Sequence, residues 1–126
     1  MIVQIRSDGI IVAELPGGSE TSEALDNVVR RVLGRDDCDV VVDFSRVTMV
    51  TSRSLAPLLH LRELLRYHKK RLLLCGIGPA TKGVFSVTAL DGVFETADDK
   101  DGALAALQAP SSSLLAVRNG SRQVNI

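Results

Sequence analysis

Val40-Val41-Val42-Asp43-Phe44-Ser45-Arg46-Val47-Thr48-Met49-Val50-Thr51-Ser52-Arg53-Ser54-Leu55 is the stretch that decides the fold of this chain. Cys38 to Phe44 is a short continuous apolar run interrupted by Asp39, which suits a strand covered on both faces of a parallel sheet. A short loop follows. Then the hydroxyl cluster Thr51-Ser52-Arg53-Ser54 opens a helix whose leucines begin at Leu55. Hydroxyls at that place can accept hydrogen bonds from the free N–H groups of a first helical turn, so the cluster reads as a helix start.

Upstream, Met1 to Arg6 and Ile10 to Leu15 read as two strands joined at Ser7-Asp8-Gly9, an antiparallel hairpin. Pro16-Gly17-Gly18-Ser19 breaks the pattern. Leu25, Val28, Val29, Val32 and Leu33 then recur at helical spacing, closed by Arg30, Arg31 and Gly34. Downstream, leucines at 55, 58, 59, 61, 64 and 65 cover more than half of a helix running to about His68. That helix should pack on two sides and leave Arg62, Glu63 and Arg66 to solvent. Pro57 has no N–H and fits only a first turn, so it places the helix start near Arg53 or Ser54, with Ser52 just before the cap.

Arg71 to Gly76 is a second central strand, and Pro79 starts a third helix with Ala80, Val84, Val87 and Thr88 as a weak apolar face. Val93 to Thr96 is a short last strand, and Asp98 and Asp99 cap a final helix carrying Ala103, Leu104 and Leu107. The alternation predicts an α/β domain over residues 1–108, with a mostly parallel central sheet, an N-terminal antiparallel hairpin and about four helices. Residues 109–126 form a C-terminal extension. Ala109 to Ser113 reads as a linker. The Asn119-Gly120 hairpin signal beyond it leaves two readings open: a tail, or a strand added to a sheet edge that could join two copies of the chain.

The 126 residues suffice for one core without covalent staples. Fifteen Lys+Arg balance fifteen Asp+Glu, which supplies no net electrostatic footprint for DNA or RNA, so nucleic acid is not an expected partner. No apolar run approaches the length of a membrane span, and a soluble, cytoplasmic protein without membrane insertion is expected. Cys38 and Cys75 stand at the start of one strand and the end of the next. In parallel strands that offset is too large for a disulfide, and two buried thiols are expected.

Catalytic chemistry has little to stand on. His60 and His68 lie eight residues apart on one helix, about 12 Å, too far to share a metal. Gly76-Ile77-Gly78 lacks the third glycine or the Lys-Ser/Thr of a phosphate loop, so no cofactor is expected. Asp43 ends its strand where open α/β sheets place functional groups. It reads equally as a carboxylate that shapes its own loop. Ser52 stands at a strand-to-helix junction, where free N–H groups and the helix dipole stabilise an added phosphate. On local sequence alone, however, Thr51, Ser52 and Ser54 read first as capping hydroxyls.

The Val40 to Leu55 stretch resembles the core of the STAS domain, the fold of anti-sigma factor antagonists. In that family a valine-rich strand ending in Asp-Leu-Ser precedes an Asp-Ser-Ser/Thr-Gly-Leu motif. Here the motif reads Thr51-Ser52-Arg53-Ser54-Leu55, and Leu90-Asp91-Gly92-Val93-Phe94 is similar to the family's Gly-Leu-Asp-x-x-Phe segment, with Ala89 where the glycine usually sits. The resemblance covers residues 1–108. It implies a non-enzymatic regulatory module that binds an anti-sigma factor with serine kinase activity and is released when Ser52 is phosphorylated. A phosphatase would restore binding. Asp43, Thr51, Ser52, Arg53, Ser54, Gly17 and Gly18 are the partner-binding residues that it implies. A scaffold or transporter-associated subunit of the same fold, never phosphorylated, is the alternative, and a nucleotide-binding enzyme a more distant one. Thr51 removes an acidic neighbour of the acceptor, Arg53 replaces a small residue, and Ser54 replaces the motif's glycine.

Overall fold

Three consecutive valines that are buried on both sides lie at the centre of the structure, with Val40, Val41 and Val42 fully buried. The computed structural model describes residues 1–35 and 37–108. β1 (Ile2–Ile5) and β2 (Ile10–Glu14) form the expected antiparallel hairpin, with Gly9 at φ +82° in its turn. β3 (Asp39–Asp43), β4 (Leu72–Cys75) and β5 (Glu95–Ala97) continue the sheet in parallel, in the order β1-β2-β3-β4-β5. β5 starts two residues later than the sequence suggests, and Phe94 just before it is buried in the core. Helices α1 (Thr21–Leu33), α2 (Ser52–Tyr67) and α3 (Pro79–Val87) connect the parallel strands, and α4 (Lys100–Gln108) ends the described chain. A 3-10 turn at Gly18–Glu20, not anticipated from sequence, leads into α1.

Strands laid side by side in chain order, joined by crossovers of one hand, put all their connecting helices on one face. The two cores show this arrangement. Ile11, Ala13, Val40, Val42, Leu72 and Leu74 pack with α1, α2 and Phe85 of α3. The alternate residues Ile10, Val12, Val41, Leu73 and Cys75 pack against Ala103 of α4 on the opposite face. Asp99 Oδ1 accepts the Gly102 N–H at 2.7 Å, so the expected acidic cap of α4 is in place. Cys38 and Cys75 are free and buried; Cys75 lies opposite Asp43, five residues from Cys38 along the strand.

Four expectations are corrected. Leu33, assigned to the apolar face of α1, is 55% exposed because it is the last helical residue and extends past the sheet. In α3 the core-facing side chains are Thr81 and Phe85, while Ala80 is exposed and Val87 is 88% exposed. A nine-residue helix accommodates either stripe, and the larger area of Phe85, stacked on Phe94 at 5.7 Å between centroids, sets the choice. Arg62 is half-buried: its Nε–H donates to the Val93 carbonyl at 3.1 Å, tying α2 to the segment before β5. Finally, α2 begins at Ser52 with Thr51 as its cap, and Pro57 falls in the second turn, where its ring is buried. The hydrogen bond lost there is the one Pro57 would donate to the carbonyl of Arg53, a residue that is itself exposed. The hairpin signal at Asn119-Gly120 lies outside the described residues.

Candidate functional site

The loops that follow the parallel strands gather at one end of the sheet, and glycines without side chains let them touch. Asp43 closes β3, and its Oδ1 accepts the Ser45 N–H at 2.9 Å and the Ser45 hydroxyl at 2.5 Å. The backbone on either side is fixed as well. Leu15 N–H donates to the Asp43 carbonyl at 3.1 Å, and Phe44 N–H to the Cys75 carbonyl at 2.8 Å. Gly76, at φ +67°, lies against this turn so closely that a Cβ would stand 2.5 Å from Ser45 Oγ and 2.8 Å from Asp43 Oδ1. The first glycine of Gly76-Ile77-Gly78 thus makes room for a carboxylate turn. Gly17 does the same for the next loop: a Cβ there would stand 2.5 Å from the Arg46 carbonyl oxygen. Gly18 beside it is exposed, at φ +76°.

The turn built by Asp43 delivers the chain to the start of α2. Thr51 is extended, at φ −111° and ψ 172°, and its side chain makes no capping bond. Ser52 is the first helical residue and is exposed, as are Thr51 and Arg53. Ser54 is only 2% exposed, which hides its hydroxyl from any modifying enzyme. Its helical backbone also needs no glycine-like φ. Ser54 N–H donates to the Thr51 carbonyl at 2.9 Å, while no acceptor among the described residues meets the N–H groups of Ser52 and Arg53. Two free donors and the positive end of a 16-residue helix therefore flank the Ser52 hydroxyl.

Two further groups at this end, Lys100 and Cys75, are both shifted toward their protonated forms. Lys100 donates to Glu14 Oε2 at 2.7 Å, and that hydrogen bond raises the lysine above its ordinary value. Burial, reinforced by the nearby Asp43 and Asp99 charges, pushes the Cys75 thiol up to about 12, so it is protonated and unreactive at neutral pH. Among the described residues no group of three or more His, Cys, Asp or Glu is arranged to hold a metal ion. His60 is exposed, and His68 stands edge-on to Tyr67 at the far end of α2.

The structure thus brings Asp43 together with Ser45 and Gly76, and Gly17 together with Arg46. Thr51, Ser52, Arg53 and Ser54 follow on the first turn of α2. Ser45, Arg46 and Gly76 were absent from the sequence assignment. The Asp-x-Ser spacing is the signal that could have found Ser45, since an aspartate commonly accepts from the residue two positions on. Nothing local marks the Arg46 carbonyl, which matters only because Gly17 approaches it from another loop.

A parallel-sheet α/β domain with one antiparallel edge hairpin, and loops gathered before the start of α2, is the architecture that this site defines. Residues 18–96, more than half of the chain, match the family model described as "Mlab, STAS domain", and the chain belongs to the STAS-domain family. BtrV of Bordetella bronchiseptica, by its name a candidate anti-sigma factor antagonist, is 27% identical over 105 residues, covering 82% of this chain and 90% of BtrV. A crystal structure of an anti-sigma factor antagonist from Mycobacterium paratuberculosis superposes with a TM-score of 0.70 at 26% identity, covering 86% of this chain and 92% of the other. An anti-sigma-factor antagonist (STAS) domain protein from Planctomyces limnophilus reaches a TM-score of 0.74 at 19% identity, with 86% and 97% covered. The chain therefore has the fold of anti-sigma factor antagonists.

Proposed function

We propose that residues 1–108 act as an anti-sigma factor antagonist that binds a cytoplasmic anti-sigma factor with serine kinase activity, and that phosphorylation of Ser52 ends the complex. The observation that carries this reading is the exposed Ser52 hydroxyl on the first residue of α2, beside two unused N–H donors. A phosphoryl group there adds about −1.5 to −2 charges and finds stabilising donors, while at a closed interface the same charge is costly to desolvate. Each 1.4 kcal/mol of such cost is about tenfold in affinity, so a few kcal/mol make a switch. Gly17, Gly18, Asp43 and the Thr51–Ser54 turn supply the surrounding contact surface, and a phosphatase resets it. The module itself transforms no substrate; its output is the sigma factor released for transcription. The similarity to BtrV and to the mycobacterial antagonist supports this reading.

Ser52→Asp should lose the kinase partner and Ser52→Ala should bind it persistently, read as captured partner from host lysate together with phosphate on the unbound wild-type protein. Equal partner affinity for wild type and both variants sinks the switch. A second reading, a STAS subunit of a scaffold or transporter that is never phosphorylated, is favoured by Arg53 and the buried Ser54 in the altered motif. It predicts scaffold or transporter proteins in the same capture and an unmodified Ser52.

A further inference from the structure

The end of the molecule remote from Ser52 carries a different surface. α1 and α2 both run against the strands they connect, so their last turns lie side by side at that end. Arg30, Arg31 and Arg35 surround the end of α1, and Arg66, Lys69 and Lys70 the end of α2. With Arg62 and Arg71 these make eight cations, against Asp37, Asp39, Glu63, Asp91, Glu95 and, in sequence, Asp36, while Asp8 at the same end is paired with Arg6. Helix C-termini favour cations, which accounts for part of the cluster. It does not account for the apolar side chains among them: Leu33 is 55% and Tyr67 82% exposed, each the last residue of its helix.

At the same end Arg62, Arg66, Lys70 and Arg71 line a recess of about 170 Å³ together with Phe94 and Glu95. Glu95 pairs with Arg71 at 2.6 Å, and Arg62 and Arg66 share Glu63 at 2.8 and 3.2 Å. The Lys70 ammonium makes no hydrogen bond or ion pair among the described residues, and the recess keeps an excess of positive charge. At the Ser52 end the balance reverses: Glu20, Glu23, Asp98, Asp99 and Asp101, with Asp43, outnumber Arg46, Arg53 and Lys82, while Lys100 is paired with Glu14. A chain of zero formal charge is therefore bipolar.

We propose that this basic end docks on an anionic lipid surface, with a headgroup phosphate in the Arg62–Arg66–Lys70–Arg71 recess and Leu33 and Tyr67 at the interface. Basic residues are drawn to the negative surface potential of an anionic leaflet, and an aliphatic and a phenolic side chain protruding among them suit the headgroup boundary. Nucleic acid would satisfy the cations but offers no apolar layer to receive Leu33. The binding is adsorption: no helix of the described residues is long and apolar enough to cross a membrane. The acidic end orients the molecule, since it is repelled by the same surface, and Ser52 faces away from the lipid.

The test is flotation of the full chain with vesicles of phosphatidylcholine alone or mixed with phosphatidylglycerol, with a short DNA duplex as competitor. The protein should float with the anionic vesicles at low salt, stay behind with neutral ones, and be released by high salt. Arg66→Glu with Lys70→Glu should weaken binding by about tenfold or more, and Leu33→Ser with Tyr67→Ser by about threefold. Lys82→Glu, at the opposite end, should leave it unchanged. All of these variants should melt as cooperatively as the wild type, because the altered side chains are exposed or half-exposed. Absence of binding to strongly anionic vesicles at low salt overturns the proposal. So does an equal loss on Lys82→Glu, or duplex DNA that competes as well as lipid, which would mark a general polyanion surface. None of these readouts depends on phosphorylation of Ser52.

Discussion

Ala89 and Lys69 both hold φ at 60°, a left-handed conformation that costs an L-residue about 1–2 kcal/mol. Each closes a helix in the same way. After α3, Ala89 N–H donates to the Ser86 carbonyl at 3.2 Å and Leu90 N–H to Phe85 at 2.7 Å; after α2, Lys69 donates to Arg66 at 3.0 Å and Lys70 to Leu65 at 2.7 Å. This pattern satisfies the last carbonyls of a helix and favours glycine at the left-handed residue. Ala89→Gly and Lys69→Gly should therefore each stabilise the protein by about 1 kcal/mol, read as a higher midpoint in urea with an unchanged slope. A lower midpoint for both would show that the lost side-chain contacts outweigh the relieved strain. The position of Ala89 was legible in the sequence only through the family segment in which glycine usually stands there. Its conformation was not, because alanine carries no signal for positive φ. Gly34 misleads in the other direction, since it follows α1 at φ −90° and uses none of its freedom.

Among the elements, α2 shows what the pattern of apolar residues can and cannot tell. Its leucines were read as covering two sides of the helix, and Leu58, Leu61 and Leu65 are buried while Leu55, Leu59 and Leu64 pack partly against the same core. Leu61→Ala, at a fully buried site in the core shared by the sheet, α1 and α2, should cost about 2–5 kcal/mol of unfolding free energy. Leu33→Ala, at the exposed end of α1, should change it by less than about 0.5 kcal/mol. Similar losses for the two would mean that periodicity, rather than position along the helix, decides burial. The order and type of the elements were legible because each has a strong period or a firm boundary such as Pro79. The side of α3 that faces the core was not, since a helix of nine residues offers Val84 to either stripe and only the place of Phe94 selects the Phe85 side. The start of α2 lies at the hydroxyl cluster rather than where Pro57 alone would set it, since one missing hydrogen bond to Arg53 is a local cost. At the site, Asp43 and Ser52 could be found from sequence because each stands at an element boundary. The loop-to-loop approaches at Gly17 and Gly76 depend on residues about 30 positions away and are invisible locally.

For the molecule as a whole, the layer between the sheet and α4 couples stability to alkaline pH. Cys75 is fully buried there, and its thiol is pushed from 9.0 up to about 12. A raised folded value means that the unfolded chain loses the thiol proton first. The contribution of Cys75 is complete below pH 9 and is lost as pH rises toward 12, with a ceiling of about 4 kcal/mol. Urea unfolding between neutral pH and pH 11 should show wild type losing more stability than Cys75→Ala; parallel profiles would mean that the thiolate is accommodated in the fold. The same layer has a consequence for biogenesis. Because the strands lie side by side in chain order, a chain emerging from the ribosome can add each one to a growing edge, and α1, α2 and α3 cover one face as they appear. Ile10, Val12, Val41 and Leu73 on the other face wait for α4, which is made after every strand. A nascent chain stalled or cleaved before Lys100 presents that bare apolar layer to its neighbours, and is the species on which chaperones and proteases should act.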